Sequence, residues 1–199
     1  NYAPRQRRVQ SRQIHPAKSR AAGGRESESP CVAARMREDP KAGTGLPPPR
    51  HTSMSILSEI HSPADLRALP IERLPELARA VRDRIVEVVG RSGGHLTSNL
   101  GVVELTIALH RVFDFKTDRL LWDVGHQCYP HKLLTGRHER FDTLRKPGGV
   151  SGFPEISESE YDLFRVGHAG TAVATAVGMA RADQLLGRQT NVVSVVADA

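Results

Sequence analysis

Apolar residues recur at three- and four-residue spacing through Leu74, Leu77, Val81, Ile85 and Val88, with Arg79, Arg82, Asp83 and Glu87 on the other faces. This period predicts an amphipathic helix entered at Pro75 and ending near Gly90. Ser62-Pro63-Ala64-Asp65 predicts an earlier helix start, with a capping serine followed by a proline at the first helical position. From about Val102 to Phe113, Val102, Val103, Leu105, Ile107, Leu109 and Val112 occupy most sides. A helix of that kind is expected to be buried.

The pattern then shortens. Leu120–Val124, Tyr161–Val166 and Asn191–Val196 are apolar or β-branched runs of the kind found in strands buried on both faces. Between the last two, the small-residue segment Thr171–Leu186 predicts a helix, with Gly187 suited to its C-cap. Strand, helix and strand at this spacing predict a βαβ unit. The fold class is therefore α/β, a parallel sheet flanked by helices. Pro130–Leu134 predicts a short helix closed by Thr135-Gly136, and Phe141–Leu144 a further helical turn. Lys146 to Glu160 is too long for a simple connector and is expected to act as a lid or substrate loop.

Ligands of such sheets sit beyond the carboxyl ends of the strands. Gly167-His168-Ala169-Gly170 lies at one such end and opens a helix, where backbone N–H groups and the helix dipole favour an anion. Asp198 lies at the next, and a phosphate at the first position with a carboxylate-held magnesium at the second are mutually consistent. On the residues alone, a plain turn and a strand-terminal Asp capping a helix remain the alternative. Gly125-His126 gives a third strand end of this kind. His95 is a single imidazole in the glycine- and hydroxyl-rich loop from Ser92 to Gly101, and a lone histidine there is either catalytic or an ordinary surface residue. His126 and His131 are five apart with no cysteine or acidic partner at ligand spacing, so a zinc pair is not favoured.

Charge divides the 199 residues. Residues 1–53 hold 11 Lys/Arg against 4 Asp/Glu, and residues 54–199 hold 17 against 18. The basic balance belongs to the leader, which removes most of the case for nucleic-acid binding by the folded part. The leader carries 7 of the 13 prolines and no apolar period, and is expected to be disordered. It is either transit-like or a mis-extended reading frame ahead of Met54. No apolar stretch is long enough for a membrane span. Cys31 and Cys128 suggest no disulfide framework and fit a reducing compartment, cytoplasmic, or plastid if the leader is a transit peptide.

Three blocks and a dipeptide carry a resemblance: Gly94-His95-Leu96-Thr97-Ser98-Asn99-Leu100-Gly101-Val102-Val103-Glu104-Leu105-Thr106, the run from Trp122-Asp123-Val124-Gly125-His126-Gln127 to Gly136, Glu158-Ser159-Glu160-Tyr161-Asp162, and Gly167-His168. From about Pro63 to Ala199 the chain closely resembles the amino-terminal part of 1-deoxy-D-xylulose-5-phosphate synthases, a family of transketolase-like thiamine diphosphate enzymes. The resemblance implies decarboxylative condensation of pyruvate with glyceraldehyde 3-phosphate, for isoprenoid, thiamine and pyridoxal phosphate synthesis, in a homodimer. It implies that His126, Gly167, His168, Ala169 and Ala199 contact thiamine diphosphate, that Asp198 binds Mg2+, and that His95 assists proton transfer. It also places a second magnesium ligand and the glutamate that activates the cofactor beyond Ala199, so a fragment inactive by itself is expected. The sequence departs from the family pattern at Ala169-Gly170, where two serines are usual, and at Ala197-Asp198-Ala199, where Gly-Asp-Gly is usual. Another transketolase-like enzyme, a non-catalytic cofactor-domain remnant and a nucleic-acid binder acting through the leader are the competing readings.

Overall fold

The Asp65 carboxylate accepts hydrogen bonds from the backbone N–H groups of His61 and Ser62 and from the Ser62 hydroxyl, and Pro63 follows as the first residue of α1 (Pro63–Ala68). Proline costs nothing there because its missing N–H has no intrahelical partner at that position. This is the helix start expected from the sequence. In the computed structural model, residues 55–196 are described. The leader assigned to residues 1–53, Asp198 and Ala199 lie outside them.

The three- and four-residue period becomes α2 (Leu74–Ser92), and Leu77, Val81, Ile85 and Val88 are buried along one face. It ends at Gly93, whose φ of 70° is a left-handed conformation that glycine adopts freely. A short α3 (Thr97–Leu100) precedes α4 (Val103–Val112). Against the expectation of a helix buried on most sides, α4 leaves Leu105 47% and Val112 74% exposed. Val103, Thr106, Ile107 and His110 form its buried stripe. Apolar content alone therefore overstated the burial, because α4 packs on α1, α2 and the segment Tyr129–Lys132 through this stripe, and its other side is left open.

Two strands, β1 (Arg119–Trp122) and β2 (Val192–Val195), pair in parallel with Arg119 opposite Val192 and Trp122 opposite Val195. Asp118 sets this register from outside the ladder, since its Oδ1 accepts from both the backbone N–H and the side-chain amide of Asn191. The parallel sheet flanked by helices is thus present among the described residues as two strands. α6 (Thr171–Leu185) leads into β2 as expected, closing at Gly187 with φ 67°. Only Ala172 and Asp183 of α6 are buried.

Tyr161–Val166 is not a strand. The segment shares a narrow crevice with Leu120, Leu121 and Trp122 of β1 but forms no ladder with it. The reason lies in Asp162, whose side chain is turned inward to a histidine and an arginine. The strand that β2 joins is β1.

α5 (Tyr129–Lys132) runs into the bend Leu133–Arg137, where Thr135 and Gly136 leave helical geometry. The helix predicted at Pro130–Leu134, closed by Thr135-Gly136, is therefore realised. Phe141–Thr143 forms a 3-10 turn. No helix among the described residues is long and apolar enough to cross a membrane.

Candidate active site

β1 stops at Trp122, and the chain reverses through two left-handed residues, Val124 at φ 59° and Gly125 at φ 86°. A β-branched residue in that region costs of order 1–3 kcal/mol. Gly125 has no alternative: a Cβ built on it would lie 2.5 Å from Pro154 Cδ and 2.7 Å from Val166 Cγ2. The turn thus packs its backbone against the long loop and against the residue just before Gly167, and delivers His126 beyond the strand end.

There His126 meets His95, their ring centroids 5.0 Å apart and the planes inclined by 63°. The two lie 31 positions apart in sequence, and Asn99 brings them together. The Asn99 side chain is fully buried. Its Nδ2 donates to the carbonyls of His95 (2.6 Å) and His126 (2.8 Å), and its Oδ1 accepts from Tyr129 N–H (2.8 Å). One amide therefore spends both protons and its oxygen on three backbone groups from two loops. Partial burial, then the neighbouring His126 and Arg145, hold the imidazole of His95 below its ordinary pKa. His95 is accordingly neutral at pH 7 and has a free lone pair for a proton. His126 Nδ1 is buried without a hydrogen-bond partner.

The third Gly-His segment adjoins this turn through the contact of Gly125 with Val166. Gly167 and His168 line a cavity of about 320 Å³ together with Trp122, Arg165 and Thr171. Gly170, at φ 78°, turns the chain into α6, and Ala169 is exposed beside it. Two of the N–H groups at the start of α6 are taken: Asp123 Oδ1 accepts from Thr171 (3.1 Å) and Ala172 (3.4 Å). An anion held at this end would therefore rest on the Gly167–Gly170 backbone and the exposed His168 rather than on those two groups. The orphaned nitrogen of His126, the open space at Gly167 and Gly170 and this cavity together fit a cofactor with polar and anionic parts.

His131 belongs elsewhere. It is fully buried between His110 and Asp162, with His110 Nε2 to His131 Nδ1 at 2.9 Å and His131 Nε2 to Asp162 Oδ1 at 2.8 Å. Arg137 bonds both carboxylate oxygens of Asp162, at 2.6 Å and 3.2 Å, and Lys132 donates to Glu158 at 2.6 Å. Burial alone would raise the pKa of Asp162, but His131 and Arg137 hold it well below the ordinary carboxylate range. Burial depresses both imidazoles as well. With Asp162 ionised, a neutral His131 donates from Nε2 and accepts at Nδ1 from His110 Nε2–H, which leaves His110 Nδ1 as the unpaired atom. The same carboxylates fix the long loop, because Glu158 accepts from Ser151 N–H and Asp162 from Glu155 N–H. A zinc pair of His126 and His131 is excluded by this placement.

The pattern of apolar positions did not single out Asn99, Asp123 or the Lys132–Arg137–Glu158–Asp162 network. The available signals were charged residues inside an otherwise apolar segment, Lys132 and Arg137, and two carboxylates four residues apart in a loop.

A family model for 1-deoxy-D-xylulose-5-phosphate synthase matches residues 57–199. The chain is 55% identical over 143 residues to a 1-deoxy-D-xylulose-5-phosphate synthase of Chromobacterium violaceum, covering 72% of this chain and 23% of that protein. It is 53% identical over 143 residues to the enzyme of the same name from Alkalilimnicola ehrlichii, again 72% and 23%. Over 144 residues it is 54% identical to 1-deoxy-D-xylulose-5-phosphate synthase 1 of Geobacter sulfurreducens, with the same two shares. The chain thus spans about a quarter of the length of these curated relatives. The matched stretch contains β1, β2, both histidine loops and the buried charge network, and the chain belongs to the 1-deoxy-D-xylulose-5-phosphate synthase family.

Proposed function

We propose that this chain forms the amino-terminal part of a thiamine diphosphate-dependent synthase that condenses pyruvate with glyceraldehyde 3-phosphate, giving 1-deoxy-D-xylulose 5-phosphate and carbon dioxide. The observation that carries the reading is the pairing of His95 with His126 at the end of β1, with centroids 5.0 Å apart, in a chain of this family.

Thiamine diphosphate, when bound, supplies the carbon nucleophile and the electron sink for decarboxylation. The chain's own residues bind and orient. His126, with an unused ring nitrogen, offers a hydrogen bond to a ligand beyond the strand end. His95, neutral and partly open to solvent, takes up or returns a proton at its ring nitrogen. Gly167, His168 and Ala169 present backbone and imidazole groups to an anionic diphosphate. Asp198 would supply a hard oxygen ligand to Mg2+, and Ala199 would adjoin the diphosphate. The natural assembly is a homodimer.

A chimera tests this. Residues 57–199 replace the matching stretch of the Chromobacterium violaceum synthase, and carbon dioxide release and 1-deoxy-D-xylulose 5-phosphate formation are followed. Turnover that is lost on His126→Ala supports the proposal. A folded, dimeric chimera without turnover rejects it.

A further inference from the structure

Away from the paired histidines of the candidate active site, the start of α1 and the turn after α5 place a second group of potential ligands together. His61 precedes Ser62 and Pro63, and His138 and Glu139 follow the bend at Gly136. The ring centroids of His61 and His138 are 5.4 Å apart. One donor atom each from His61, His138 and Glu139 lie within 4.8 Å of one another.

The backbone holds these residues in place. His61 N–H is bound by Asp65. Gly136, at φ 85°, lies so close to the His61 carbonyl that a Cβ there would come within 2.5 Å of the oxygen. Two segments separated by 75 residues are therefore pinned backbone to backbone beside the three side chains. His138 Nδ1 is buried with no hydrogen-bond partner, so one ring nitrogen of the cluster is unspent. A metal takes an imidazole ligand in its neutral form. The nearby cation, Arg84, is engaged by Asp142 at 2.7 Å and Glu87 at 3.0 Å. With neutral rings the three ligands carry one negative charge, which suits a divalent ion.

We propose that His61, His138 and Glu139 form a binding site for a divalent transition metal ion of the zinc class, clamping the start of α1 to the turn after α5. Two imidazoles and one carboxylate favour zinc, cobalt or nickel over magnesium or calcium, which prefer all-oxygen sets. Donor atoms around a tetrahedral zinc stand about 3.4 Å apart, so the exposed His61 and Glu139 side chains close onto the ion by rotation. Three protein ligands leave one coordination position for water. The site shares no residue with the His95–His126 pair and does not depend on the proposed synthase activity.

Zinc is titrated into the full chain by calorimetry, with cobalt absorption as a second readout. One zinc is expected to bind with an affinity that falls at least tenfold in His61→Ala and in Glu139→Gln, both exposed positions that leave the fold in place. His61→Cys, which supplies another zinc ligand, restores binding, and His95→Ala leaves it unchanged. Cobalt bound at the site gives the intense visible bands of a four-coordinate ion, and these bands vanish in the same two variants. Zinc affinity and cobalt spectra unaltered by His61→Ala and Glu139→Gln, or zinc binding lost in His95→Ala, overturn the assignment.

Discussion

Asn99 and His126, 27 residues apart, are joined by a hydrogen bond of 2.8 Å from a fully buried amide to a backbone carbonyl. The same amide holds His95 and Tyr129, so one side chain sets the separation of the two histidine loops. Asn99→Ala strands two carbonyls and an N–H in the interior, at about 1 kcal/mol or more each. Loss of about 2–4 kcal/mol is expected, read as a lower urea midpoint at unchanged slope. An unaltered midpoint would mean that water replaces the amide.

Two glycines should respond in opposite directions to alanine. At Gly125 the left-handed backbone and the 2.5 Å approach to Pro154 oppose any side chain. Gly125→Ala is expected to cost about 2–4 kcal/mol, from conformational strain and overpacking together. Gly90 lies within α2, exposed and with nothing within 4 Å. Gly90→Ala is expected to stabilise by about 0.5–1 kcal/mol, since alanine is the better helix former. Thermal unfolding of both variants checks the pair of signs.

Local pattern predicted what local pattern controls. The period of α2, the proline start of α1, the cap at Gly187, the apolar strand β1 and the β-branched strand β2 follow from backbone propensity and spacing, and each is where it was expected. Tyr161–Val166 was misassigned because its apolar residues resemble a strand while Asp162 pairs with His131 and Arg137, residues far off in sequence. No local pattern carries that information. The histidines of the site were legible as Gly-His turns; the amide that aligns them was not, since a buried asparagine and a surface one read alike in a sequence.

Buried neutral histidines make stability depend on pH. His110 and His131 have folded-state pKa values depressed by burial, while the unfolded chain takes up protons near pH 6.5. Below that value the unfolded state binds more protons, so stability falls as pH drops. The slope approaches about 1.4 kcal/mol per pH unit for each histidine. Asp162, also depressed in the fold, contributes stability that is present above about pH 4 and lost as pH falls further. Urea midpoints between pH 7.5 and 5 should decline, and His110→Gln should make that decline shallower by about one proton's worth. More exposed His95 and His138 add smaller effects of the same sign.

Cys128 is fully buried, and burial pushes its thiol pKa up to about 12. The thiolate is the reactive species, so labelling of Cys128 by a thiol reagent at pH 8 should proceed only as fast as the protein opens. Peptide mapping separates this from labelling at Cys31. Rapid modification of Cys128 in folded protein would contradict its placement.

The stretch from Lys146 to Val166 has the length and the glycine content of a mobile flap, yet it is tied to α5 and the following bend by Lys132, His131 and Arg137 through Glu158 and Asp162. Its amides at Ser151 and Glu155 are held by those same two carboxylates. A segment secured by charges that cannot be abandoned singly in the interior has no inexpensive way to lift. Its hydrogen exchange should keep pace with that of α5, and a protease would find it cut-resistant until the histidine–aspartate interior itself gives way.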